Sequence, residues 1–442
     1  MKKVHRGVSF GTVFMLAVTI VVTGLSASIL PRLLGTADLH MDTAALSALT
    51  LDGAIPALTL SDIPINNAMS EPSATPEPSD SATQAPTPVP TPTPFPGGTV
   101  TLTLGGSINI DDAVRKSAYY SESKKYDFTE ILALLEDEMS SDLTMLTLEN
   151  ITSDAHQVSA LNAPPVVFDM LAQSGVDIVA LGYPKAADKG LDGLRTTVAE
   201  AQERGLVTLG TYNSETDAAT LRLFTIDGVK VAFLHFAESV TAAGKKAISG
   251  ERAEYALATT HISGSEAAML ADIREARAAA DVVVVSLNWG KVSAAKPTTA
   301  QQALAQQIAD AGADVIVGAG TRVVQPVTWL TSKDASGSIR QTLCAWNLGS
   351  LLNESRKDGN VLGMLLQLQV FFDGKSISFE KVCYTPTYIW RYKQDGQYQY
   401  RIVPSDQPAP DGMGDDQIGY MQKAYKNIQK YLGDSPVTLR EK

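Results

Sequence analysis

Glu149 ends the run Leu143-Thr144-Met145-Leu146-Thr147-Leu148. An acid at a strand end can take or give a proton for a bound ligand, or it can be caught in a structural hydrogen bond. Lys185 and Asp188 follow the short run 177–181, Asn288 and Trp289 follow 281–287, and Arg322 lies in the loop after 313–317. If these runs are neighbouring strands, their loops open at one edge and Lys185, Asn288 and Arg322 face one mouth. A lysine, an arginine and an amide suit a carboxylate, phosphate or glycan oxygen without a metal. Trp289 could stack on a sugar face or simply pack.

The remaining groups offer less. His156, His235 and His261 are isolated in sequence, and His235 sits in an apolar strand where a structural role is expected. Asp111 and Asp112 read as a solvated acidic turn. Ser107 has no histidine partner in sight, and there is no Gly-x-Ser-x-Gly elbow, P-loop or dinucleotide fingerprint.

Elements that must position these groups are legible from periodicity. Residues 281–287 form a β-branched run expected to be buried on both faces, 298–311 carry apolar residues at helical spacing, and 313–317 form a second buried strand. This βαβ unit places its two loops at the carboxyl ends of its strands, where open α/β sheets hold ligands. Further strands are expected at 99–104, 143–148, 177–181 and 206–209, and helices at 128–139, 166–173, 190–204 and 266–280. Asp227-Gly228 predicts a hairpin between 219–226 and 229–236. Strands at 321–330, 342–348, 361–372 and 375–384 follow, then a polar segment 405–442 with an amphipathic helix at 416–432.

The chain of 442 residues carries a formal charge of −12 and no basic stripe, which argues against a nucleic-acid partner. Lys2, Lys3 and Arg6 precede an uncharged apolar stretch from 8 to 30, long enough to cross roughly 30 Å of hydrocarbon. Residues 1–30 are therefore expected to be a cytoplasmic stub and signal anchor, with the rest exported. A cleaved signal peptide ending near Ser26-Ala27-Ser28 is the alternative. Residues 31–98 become rich in Pro, Thr and Ser, a composition that favours an extended stalk at about 3.1 Å per residue. Cys344 and Cys383 each fall in a strand-like segment, as a disulfide or as two buried thiols.

The segments "VVVSLNWG" and "AQQIADAGADVIVGAGTRVVQP" resemble the bacterial capsule-synthesis CapA family, associated with poly-γ-glutamate capsules. The similarity runs over about 99–390, with "NLGS" and "CYTPTY" in order. It implies a four-layer α/β/β/α metallophosphatase-like sandwich over 99–404. It also implies a metal site, yet the family's site motifs are altered here. Leu-His-Trp-Gly reads Leu287-Asn288-Trp289-Gly290, and Ala319, Gly320 and Arg322 replace three histidines of Gly-His-His-Pro-His. The opening Gly-Asp is Gly105-Gly106, and Lys185 replaces the histidine of Asn-Asn-His-Ala-x-Asp-Tyr-Gly. Glu149 and Asp188 survive, and Asn347 opens the counterpart of Ser-Leu-Gly-Asn-Phe.

The expectation is a membrane-anchored, extracytoplasmic protein of capsule or envelope polymer handling with no metal and no cofactor. Its cleft would be formed by Glu149, Lys185, Asp188, Asn288, Trp289, Arg322 and Asn347 and would hold an anionic polymer or glycan beside other capsule synthesis proteins. A hydrolase or transferase using Glu149 or Asp188, and a purely structural envelope protein, are the other two readings.

Overall fold

The computed structural model describes residues 97–154, 156–260, 266–334 and 337–440. The expected anchor, the stalk up to residue 96, His5, His40 and His261 lie outside the described residues. Among the described residues no helix is long and apolar enough to cross a membrane.

Strands in chain order are β1 (Gly98–Ile108), β2 (Tyr119–Tyr120), β3 (Lys125–Tyr126), β4 (Leu143–Leu148), β5 (Ile178–Ala180) and β6 (Val207–Leu209). Next come β7 (Arg222–Ile226), β8 (Val229–Ala237), β9 (Val282–Asn288), β10 (Val315–Ala319), β11 (Val327–Lys333) and β12 (Ile339–Ala345). The last five are β13 (Ser350–Leu352), β14 (Leu362–Phe372), β15 (Ile377–Gln394), β16 (Gln397–Pro404) and β17 (Thr438–Leu439).

One sheet has the order β16-β15-β14-β1-β4-β5-β6, parallel from β1 through β6 and antiparallel from β1 through β16. The other runs β11-β12-β10-β9-β8-β7, with its four middle strands parallel. Alternation along the strands decides what each face meets. Val282 and Val284 of β9 join Val100, Leu102 and Met145 of the first sheet in the core between the sheets. Val283 and Val285 point the other way, onto Ile273 of the helix Glu266–Ala279 and Leu304 and Ile308 of the helix Thr299–Ala311. Leu146 and Val179 of the first sheet pack in the same manner on Phe168, Leu191 and Val198 of the helices Val167–Gln173 and Gly190–Glu203. The fold is mixed α/β, with two stacked sheets between two layers of helices.

Local signals act where expected. Thr298 caps its helix: its hydroxyl accepts from the Gln301 N–H and its own N–H donates to Gln301 Oε1, a reciprocal capping box. Asp227 and Gly228 both adopt positive φ in the turn between β7 and β8.

Four expectations are corrected. Residues 128–139 form three single 3-10 turns, Thr129–Ile131, Ala133–Leu135 and Asp137–Met139, instead of one helix. Tight bonds such as Leu135 N to Leu132 O keep Phe128, Leu132, Leu135 and Met139 on the core, so the apolar spacing is satisfied without α-helix. The strand expected at 321–330 begins only at Val327, because Arg322 takes a left-handed φ of 61°. Likewise β12 ends at Ala345, short of the expected 348. β15 continues far past residue 384 and turns at Asp395-Gly396 into β16, a second Asp-Gly hairpin. Cys344 and Cys383 lie on different sheets and are not bonded to each other.

Candidate functional site at the strand ends

Glu149 leaves the carboxyl end of β4 directly opposite the ends of β1 and β9. Ser107 Oγ and Asn288 Nδ2 both donate to its Oε1, at 2.9 Å each, and Asn109 Nδ2 donates to Oε2 at 2.9 Å. The Gly320 N–H reaches Ser107 Oγ at 3.4 Å from the loop after β10. Gly320 is required there, since a Cβ would stand 2.9 Å from Asn288 Oδ1. Ser107, Asn109 and Glu149 belong to the first sheet, Asn288 and Gly320 to the second. The network therefore clamps the two sheets together at their shared end.

Arg322 approaches the same carboxylate, with Nη2 3.8 Å from Glu149 Oε2 and Nη1 3.9 Å from Asp111 Oδ2. These are ion pairs too long to be hydrogen bonds. Burial pushes the Asp111 carboxyl up, against the pull of the Glu354 N–H and of Arg322. One guanidinium is thus shared by two carboxylates. Its left-handed backbone, costing about 1–2 kcal/mol for a residue with a Cβ, aims the side chain back at Glu149.

The other expected cleft residues differ in their surroundings. Asp188 accepts the Thr241 hydroxyl, and both it and Glu149 bear on Tyr183, whose phenol is pushed well up by burial first and by these two charges next. Lys185 is exposed at the surface. Asn347 is buried, with Oδ1 accepting the Gly349 N–H. Trp289 is corrected as a ligand platform. It is 1% exposed, stacks on Trp346 at 5.8 Å and donates its indole N–H to the Trp346 carbonyl. Its ring is long enough to reach the helix-side core, which takes it out of the mouth. Ser107 and Asn109 were not singled out by sequence reasoning as partners of Glu149, nor Asp111 as a partner of Arg322. The alternation of β1 past Gly105-Gly106 was the available signal.

His235 forms a second bridge between the sheets. Its Nε2 lies 2.6 Å from the Gly182 carbonyl, which can only accept, so Nε2 carries the proton and Nδ1 accepts the Ser286 hydroxyl at 2.9 Å. Burial lowers its pKa to about 4, opposed by the Gly182 carbonyl.

A divalent metal of the kind this fold family implies would need several carboxylates or imidazoles turned inward. Among the described residues no three His, Cys, Asp or Glu side chains converge. Glu149 is already held by three donors, and an arginine faces it. Gly106, the position of the family's opening aspartate, has no room: a Cβ would meet the Gly349 carbonyl oxygen at 2.4 Å. The residues present do not fit a metal centre.

Fold and site define a mixed α/β domain whose parallel strands from both sheets end in one clamped mouth. Residues 101–355 match the model of the bacterial capsule synthesis protein family PGA_cap, and the chain belongs to that family. It is 29% identical over 173 residues to the capsule biosynthesis protein CapA of Bacillus anthracis, covering 37% of this chain and 39% of that protein. It is 30% identical over 144 residues to the PGA biosynthesis protein CapA of Bacillus subtilis (strain 168), covering 32% and 36%. The chain thus spans well under half the length of these relatives. Among solved structures, the NAD nucleotidase of Haemophilus influenzae aligns with TM-score 0.36 and 11% identity over 78% of this chain and 58% of that one.

Proposed function

We propose that this protein serves poly-γ-glutamate-type capsule or envelope polymer biosynthesis as a membrane-tethered, extracytoplasmic component that holds an anionic polymer or glycan instead of performing metal-dependent catalysis. The observation that supports this reading best is the state of Glu149. Its Oε1 accepts from Ser107 and Asn288 and its Oε2 from Asn109, in the place where a catalytic centre would need an open ligand. Family membership supports the capsule role, and the two named relatives carry that role in their names. The charged amino terminus followed by an apolar run supports the tether. Other capsule synthesis proteins are the expected partners.

The alternative of a divergent hydrolase or transferase needs a carboxyl free to exchange a proton. Glu149 is held as a clamp and Asp188 is occupied by Thr241. Nothing in the geometry favours that reading.

The test is metal retention. Full-length protein equilibrated with manganese or with zinc and then dialysed is expected to keep far less than one equivalent. Stoichiometric retention would overturn the proposal. Gly106→Asp, which restores the family's residue, is expected not to create retention and to cost about 1–3 kcal/mol in urea unfolding, because the added side chain collides with backbone. The tether has its own check. Protease added to cells stripped of their wall but not lysed should remove the folded domain from the membrane fraction, and full protection of the domain in those same cells would contradict export.

A further inference from the structure

The arginine at the mouth is shared by two carboxylates, yet the proposed ligand is an anion, and two other arginines make no ion pair among the described residues. Both, Arg356 and Arg391, line one cavity of about 380 Å³, within the size range of ligand sites. It opens between the carboxyl half of β15, the loop after β13 and the helix Asp415–Leu432. Its charged lining consists of Arg356, Arg391 and Lys423, and among the described residues that line it there is no Asp or Glu.

The fold builds this cavity deliberately. The terminal helix buries Met421, Ala424, Ile428 and Leu432 in the core between the sheets. That leaves Gln417, Tyr420 and Asn427, spaced three and seven residues apart, along the side that faces the cavity. Arg356 is anchored from behind, Nη1 donating to the Ile389 carbonyl at 3.3 Å and Nη2 to the Tyr388 hydroxyl at 3.4 Å. Tyr388 in turn donates to Gln417 Oε1 at 3.1 Å, so helix, strand and loop are tied at this point. Arg391 lies over the Tyr398 ring with its guanidinium carbon 4.3 Å from the centroid. Neither arginine makes an ion pair among the described residues, in contrast to Arg322, Arg277 and Arg340. Two guanidiniums, each with five N–H donors, retain donors for a bidentate anion.

We propose that the cavity between β15 and the carboxyl-terminal helix is the anion-binding site of this protein, taking the carboxylate groups of an acidic polymer through Arg356 and Arg391. The assignment rests on the polymer-holding function proposed above and moves the ligand from the strand-end mouth to a different face. Tyr420, 56% exposed at the rim, lies against the aliphatic backbone of the bound chain.

The experiment is a binding titration of the full-length protein with poly-γ-glutamate oligomers, and separately with inorganic phosphate, at 50 and 300 mM salt. Wild type should bind the oligomers, more weakly at high salt. Arg356→Gln/Arg391→Gln should lose more than tenfold, and Arg356→Lys/Arg391→Lys should lose less because charge remains while the bidentate geometry does not. Arg322→Gln should bind as wild type. Asn427→Asp, a near-isosteric change, should also weaken binding by placing a carboxylate in the cavity, and it answers for the case in which the double arginine variant fails to fold. If the oligomers bind and only Arg322→Gln weakens them, this site assignment is wrong while the polymer function stands. If phosphate binds with the same arginine dependence but the oligomers do not, the site stands and the polymer function falls. Absence of binding by wild type to either ligand overturns both.

Discussion

Asp314→Ala is expected to lower the stability of the domain by about 3–5 kcal/mol, the largest effect of any single substitution considered for this protein. Asp314 is 2% exposed at the start of β10, far along the strand from the mouth. Its Oδ2 accepts from Arg277 Nη1 at 2.7 Å and from the Val283 N–H at 2.8 Å, and its Oδ1 accepts from Arg340 Nη2 at 2.5 Å. Burial pushes the carboxyl up, and the two guanidiniums and the backbone N–H pull against that rise. Removing the acid leaves two half-buried cations and a buried N–H with no acceptor, and an orphaned buried charge is far costlier than a lost pair is valuable. The same group joins the helix Glu266–Ala279, β9, β10 and β12, so the loss should appear as a lower urea midpoint of the whole domain. Arg277→Ala in the Asp314→Ala background should cost less than Arg277→Ala alone. A stability loss under about 1 kcal/mol for Asp314→Ala would show that the site relaxes to admit water and that the acid does not anchor the sheet.

The protein should also lose about 3 kcal/mol of stability on acidification between pH 6.5 and 4 through His235 alone. The sign follows from the two states. Above pH 6.5 the imidazole is neutral both folded and unfolded, and it contributes no pH dependence. Between 6.5 and about 4 the unfolded chain takes up a proton that the folded chain refuses, so unfolding is increasingly favoured as pH falls. Below about 4 the folded form is protonated as well and the effect levels off. Carboxylates titrate in the lower part of this window, so the diagnostic range is pH 6.5 to 5, where roughly 2 kcal/mol of the loss should fall. Urea unfolding of wild type against His235→Gln measures it. Glutamine can still donate to the Gly182 carbonyl but has no proton to gain, so its curve should be nearly flat over that range. Equal slopes for the two proteins would mean that the imidazole is protonated in the folded state and that another group sets the acid limit.

Both predictions concern groups that hold the sheets in place, and the mouth belongs with them. Ser107, Asn109, Asn288 and Glu149 join the two sheets at one end, whereas Asp314 ties β9, β10, β12 and the helix Glu266–Ala279 together within the second sheet and its helix layer. A clamp of this kind uses a carboxylate for its hydrogen bonds, so Glu149 at a strand end does not by itself signal chemistry. The structural reading of that acid, one of two open from sequence, is the one the geometry supports.

What the amino-acid sequence determined by itself is local. The β-branched run Val282-Val283-Val284-Val285 has no polar face, so it had to become a strand covered on both sides. Asp227-Gly228 had to turn, and Thr298 with Gln301 had to start a helix. Residues 128–139 mark the limit: their apolar spacing was legible, but a 3-10 and an α-turn bury nearly the same positions. Only the tertiary structure decided that Gly106 lies against a carbonyl, that Trp289 turns into the helix-side core, and that Arg322 is spent on Asp111 and Glu149. It alone brought Arg356, Arg391 and the helix Asp415–Leu432 around one cavity. The physical reason is common to all four. Side-chain period fixes which face of an element is buried, whereas the partner of a charge depends on how distant elements stack, and residues far apart in the chain carry no local mark of meeting.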